Sequence, residues 1–254
     1  MKNLLLATIV ANALIFGVQP TALADQADLD AELSNYVAVI NGDDFEAEKA
    51  TMETLRWSGI SDAKVYGLIA DKLAGIKENK EQRKKAAWYA KALGFSGDDQ
   101  YRPLLESILS GNSPKNVKKY ASIGLKHLAN HKSWNAIISQ GTAAAPSGKL
   151  DETRVANMLR ADNYELMRLG AKRIANANKG NEMLIDIAAA RLEKEWPSVN
   201  EETPAQLDGV AWLLRAIGTS RSGAHKPLLE KVAAGTDNKK IKKYVKKALK
   251  EMNG

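Results

Sequence analysis

Apolar residues recur along most of this chain at three- and four-residue spacing, the period of a helix with one buried face. In the last stretch Ile241, Tyr244, Val245, Ala248, Leu249 and Met252 form one stripe, and Val117, Tyr120, Ala121, Leu125 and Leu128 form its counterpart. Alternating patterns and β-branched runs are absent, so the expectation is an all-α chain. Breaks fall at Asn41-Gly42, Ser58-Gly59, Gly111-Asn112 and Gly235-Thr236, and Asp43, Ser61, Asp162 and Asp237 stand where helix N-caps are wanted. One apolar run is of a different kind. Leu4 to Val18 is interrupted only by Thr8, Asn12 and Gly17; Lys2 precedes it, and Pro20 and Ala22-Leu23-Ala24 follow. It is shorter than the roughly 20 residues a spanning helix needs. It reads as a cleaved export signal with the cut after Ala24. A short signal with one lysine points to a bacterial periplasm, with secretion as the alternative.

The rest of the chain reads as a tandem duplication. Shifted by 124 residues, Ala87–Leu128 matches Ala211–Met252 at 16 of 42 ungapped positions, including Ala87-Trp88 with Ala211-Trp212 and Lys118-Lys119-Tyr120 with Lys242-Lys243-Tyr244. Upstream the shift becomes 119: Phe45 meets Tyr164, Glu46 meets Glu165 and Leu73 meets Leu192. The second copy therefore carries five extra residues near Trp196 to Pro204, a loop by its two prolines. The copies run from about Leu29 to Ala129 and from about Leu150 to Met252, three helix pairs each. A connector, Asn130 to Lys149, holds a short helix around Trp134 to Ser139 and an Ala-, Gly- and Pro-rich end.

The pairs Tyr101–Leu128 and His225–Met252 resemble the HEAT repeat family. The first helix carries Pro-Leu-Leu-Glu (Pro103 to Glu106; Pro227 to Glu230). A turn with Asn112 or Asp237 follows, and then an aliphatic–basic step, Val117-Lys118 or Ile241-Lys242. The resemblance implies a right-handed α-solenoid of about six helix pairs, forming a single domain from residue 25 to 254. It also implies a binding scaffold with a surface lined by the second helix of each pair, although one fold hosts many roles.

Composition narrows the chemistry. With no cysteine, disulfides, a thiol nucleophile and a lipid anchor are excluded, and the core must rest on apolar burial. The net charge of +7 becomes +6 when Lys2 leaves with the signal, a bias compatible with anionic partners. His127 and His131 stand four apart, a spacing that can hold a metal, but no third ligand is near and Asn130 lies between them. Glu106-Ser107 has the acid–serine pairing of exported lytic transglycosylases. Its repeat is Glu230-Lys231, which marks a structural position. Nucleophile elbows, phosphate loops and dinucleotide fingerprints are missing, so no catalytic, cofactor or metal residue is assigned.

The candidate contact residues are Lys115, Lys118 and Lys119 with their equivalents Lys239, Lys242 and Lys243. They serve either an electrostatic surface or the polar outer face that a terminal solenoid repeat needs. Trp88 and Trp212 are repeat equivalents expected to pack in the core. Trp57, Trp134 and Trp196 have no repeat partner, and Trp57 falls on Asn176. The leading expectation is a non-enzymatic scaffold that engages a protein of the cell envelope. The alternative is a binder of an anionic polymer or lipid head groups through the lysine-rich helices. A distant third is a HEAT-like DNA glycosylase. That family pairs tryptophan with an aspartate one helical turn on, and none of the five tryptophans here has one.

Overall fold

The computed structural model describes residues 21–146, 148–199 and 203–252. The apolar run from Leu4 to Val18 lies outside them, and the expected cleavage point after Ala24 falls in the first turn of helix α1. The described residues hold twelve α-helices and no strand. These are α1 (Thr21–Asn41), α2 (Phe45–Ser58), α3 (Ala63–Ile76), α4 (Arg83–Leu93), α5 (Arg102–Ser110), α6 (Lys115–Ile138), α7 (Leu150–Arg160), α8 (Tyr164–Ala177), α9 (Glu182–Glu195), α10 (Pro204–Ile217), α11 (Lys226–Gly235) and α12 (Lys239–Met252). None is long and apolar enough to cross a membrane. The starts of α2 and α8 and of α3 and α9 are 119 residues apart; those of α5 and α11 and of α6 and α12 are 124 apart.

The four expected N-caps each sit one residue early. Asp44, Asp62, Asn163 and Asn238 do the capping, each carboxylate or amide oxygen accepting two backbone N–H groups of the following turn. In every case two cap-capable residues are adjacent, and only the second has its oxygen over the first orphan amides. Ser61, relieved of capping, donates to the Ser96 carbonyl at 2.8 Å.

The connector is also shorter than expected. No break occurs at Asn130: α6 runs unbroken for 24 residues, absorbing the stretch read as a separate short helix. An asparagine within a helix costs a few tenths of a kcal/mol, and burial of Leu128, His131, Trp134 and Ile138 on one face outweighs it. This length gives α6 a joining role. Val117 and Ala121 belong to the apolar core of the first six helices, whereas Trp134 and Ile138 belong to that of the last six.

The packing forms two layers. In one, α2, α4 and α6 lie side by side, as do α8, α10 and α12; in the other, α1 lies on α3 and α7 on α9. Glycines set the closest crossings. A Cβ on Gly94 would sit 2.2 Å from the Gly124 carbonyl oxygen, and one on Gly218 would sit 2.8 Å from the Ala248 Cα. Gly94 and Gly218, like Gly124 and Ala248, are equivalent at the 124-residue shift. The even-numbered layer matters for function, because its outward face gathers cations and aromatic rings.

A cationic and aromatic face on the even-numbered helices

On α4, positions 84, 88 and 91 follow one helical face, opposite the buried Ala86, Tyr89, Ala90 and Leu93. Trp88 on this face is partly buried against the core, and cations cover its ring. Lys91 Nζ lies 4.3 Å from the ring centroid and Lys49 Nζ, from α2, lies 5.5 Å away. The second copy repeats this. Trp212 is partly buried, with Arg215 3.9 Å and Lys172 5.3 Å from its ring. Lys91 and Arg215 are equivalent at the 124-residue shift. Both tryptophans, expected in the core, instead lie at its border with one ring face committed to charge. A long ring at the edge of a layer can pack on the core and still meet a cation.

Between these tryptophans, α2, α4 and α8 enclose a cavity of about 290 Å³. Arg56, Lys91, Lys172 and Arg173 enter it against one acid, Glu53; Trp57, Phe95 and Leu169 supply apolar wall. Arg173 is partnered: its guanidinium stacks 4.7 Å from the Trp57 ring centroid and donates to Asp151 at 2.8 Å. Among the described residues Arg56, Lys91 and Lys172 form no ion pair within 4.0 Å and no side-chain hydrogen bond, and Arg56 Nε is buried without a partner. Burial, then repulsion from Arg168, lowers the pKa of Arg56. Burial, then Arg56, lowers that of Lys91.

The two α6 histidines extend this basic region inward. His131 is fully buried, its Nδ1 2.9 Å from the Asn135 side-chain oxygen, and the His127 and His131 rings are 6.0 Å apart with Phe95 against both. Burial, then His131, Arg56 and Lys91, pushes His127 down to about 3. Burial lowers His131 to about 4, opposed by its bond to Asn135 and helped by Arg56. Both are neutral at pH 7. Among the described residues no group of three metal-ligating side chains includes them.

The lysines picked from sequence lie elsewhere on the molecule. Lys115, Lys119, Lys239 and Lys243 are exposed, and Lys118 and Lys242 are half-buried. Lys242 is paired with Asp237 at 3.3 Å. The two triplets do not make one face. Packing runs α6, α7, α8, α10, α12, so three helices stand between them.

Sequence reading passed over Arg56, Lys91 and Lys172, because they come from three helices and no motif links them. The one pointer was Trp57, a tryptophan opposite Asn176 in the repeat; both residues line the cavity. In comparisons with known proteins the chain matches no family model and no curated protein.

Proposed function

We propose that this chain is an exported, non-enzymatic binding protein of the cell envelope. In this reading it is a right-handed α-solenoid of about six HEAT-like helix pairs, duplicated from three, that holds an acidic segment of a partner protein along the even-numbered layer. The observation that carries it is the pair of cation-covered tryptophans, Trp88 with Lys91 and Trp212 with Arg215. A ring half out of the core beside unpaired cations suits a partner that brings both apolar and acidic groups, the composition of interface anchors.

The test is a crosslinked pull-down with residues 25–254 from the cell-envelope extract, washed at low and high salt. A single protein retained through high salt by the unmodified chain, and released by the double variant Lys91→Glu/Arg215→Glu, is the expected result. Retention unchanged in the double variant would remove the even-numbered face from the interface. One observation favours a second reading: on α12, Lys239, Lys243, Lys246, Lys247 and Lys250 form no ion pair among the described residues. Loss of all captured material at high salt, with nucleic acid or anionic glycolipid in the low-salt eluate, would move the function to that lysine-rich edge.

A further inference from the structure

The cavity between α2, α4 and α8 is a poor fit to packing needs alone. Three of its cations lack an anionic partner, and the fourth, Arg173, is already neutralised by Asp151. With Glu53 as the one opposing charge, Arg56, Lys91 and Lys172 leave an excess of two positive charges in a half-enclosed space. Uncompensated charge that is half-buried works against folding, and like charges here also repel one another. This packing does not require Arg56, as the second copy shows. At the shift of 119 residues Arg56 meets Ala175 and Trp57 meets Asn176, so α8 packs without either side chain. The arrangement is particular to this one place between the copies and is not a repeated packing solution.

We infer that this cavity binds the phosphate group of a small molecule, held by Arg56, Lys91 and Lys172 with Trp57 and Phe95 against its organic body. A phosphate monoester carries about −1.5 to −2 charges at neutral pH, which matches the excess. Guanidinium and ammonium groups donate to its oxygens without needing to be deprotonated. The volume of about 290 Å³ is at the small end of ligand sites, room for one phosphate and about one ring. Glu53, on the same cavity wall, repels a second anionic group and so selects against polyphosphates. The site does not need the partner protein of the proposed function, and either can fail without the other.

The experiment is isothermal titration calorimetry of residues 25–254 at low salt with two probes, inorganic phosphate and phenyl phosphate. The expected result is binding of one equivalent with Kd of about 1 mM or tighter. Phenyl phosphate at least tenfold tighter assigns the site to a phosphate on an aromatic body. Equal affinities assign it to the phosphate group alone. Arg56→Met and Lys172→Met each weaken binding by about tenfold or more, whereas Lys80→Met, an exposed charge outside the cavity, leaves it unchanged. Two side chains are varied from different helices, so a folding defect in one variant, seen by circular dichroism, leaves the other to decide. Absence of heat from both probes with the unmodified chain overturns the inference. So does unchanged affinity in folded Arg56→Met and Lys172→Met.

Discussion

At the scale of single residues, the basic cluster around Arg56 trades stability for its chemistry. Arg56 has burial and Arg168 against its charge, and its Nε is buried without an acceptor. Methionine keeps an unbranched apolar stem and removes both penalties. Arg56→Met is therefore expected to stabilise the free protein by about 1 kcal/mol, read as a Tm increase of about 2–4 °C for a chain of this size. A lower Tm would mean that Arg56 holds the fold together. The histidines make a second prediction. Their folded pKa values, about 3 for His127 and about 4 for His131, lie below the ordinary 6.5. The unfolded chain thus takes up protons that the folded chain refuses. Their contribution is fully present above pH 6.5 and is lost as pH falls toward 4 and then 3. Between pH 6 and 5, where most carboxylates are still ionised, each histidine adds a slope approaching about 1.4 kcal/mol per pH unit. Denaturant titrations across this window should show stability rising with pH, and His131→Asn should flatten the slope. A slope that His131→Asn leaves intact would assign it to other groups.

At the scale of helices, what the sequence made legible was whatever is written locally. Spacing of Ile241, Val245 and Ala248 gives the face that α12 buries, and the breakers give the gaps. The caps slipped by one because Asp43-Asp44 and its three analogues offer two oxygens side by side, and only backbone geometry chooses. The cavity could not be read at all, since Arg56, Lys91 and Lys172 meet only through packing. A buried polar junction in the first copy was hidden for the same reason. Glu48 on α2 is fully buried, with Lys72 Nζ at 3.1 Å, Lys85 Nζ at 3.3 Å and the Tyr89 hydroxyl donating to it, so it ties α2 to α3 and α4. At the positions equivalent to Glu48, Lys85 and Tyr89 the second copy has Met167, Gly209 and Leu213, while the Lys72 equivalent, Arg191, turns to Glu195 at 2.9 Å instead. Glu48→Met alone takes the carboxylate from Lys85 and the Tyr89 hydroxyl, leaves Lys72 only the Gly42 carbonyl, and should cost about 3–5 kcal/mol. The triple change Glu48→Met/Lys85→Gly/Tyr89→Leu, which installs the second copy's set, should recover most of it. Urea denaturation of both variants measures this; a triple no more stable than the single would show that the two copies are not interchangeable at this junction.

At the scale of the whole molecule, the question is what makes two six-helix units behave as one. Besides the stack of Arg173 on Trp57, two features cross the boundary. The long α6 places Trp134 and Ile138 in the second core, and α1 reaches over to α7. There the Arg154 guanidinium makes two hydrogen bonds to the Glu32 carboxylate, at 2.9 and 2.7 Å, with Arg154 only 5% exposed. Such a two-point, largely desolvated pair fixes orientation as well as distance. The Gly148 amide adds a bond to Asp28 at 2.7 Å. All three α1 contacts lie beyond Ala24, so a cut there removes only the first turn of α1 and leaves a chain that begins at Asp25 with this latch complete. An N-terminus elsewhere, found by intact mass, would overturn the processing site. The latch itself predicts a specific pattern of loosening. Arg154→Met keeps the apolar stem in place but leaves Glu32 part-buried without its partner, at a cost of about 2–5 kcal/mol. The loss should be local to the boundary. Hydrogen exchange should accelerate in α1 and the start of α7, while α10 and α12, which are packed on each other, keep their protection. Exchange accelerating equally in α12 would mean that the two units unfold as one. Unchanged exchange in α1 would mean that its packing on α2 and α3 suffices without the ion pair.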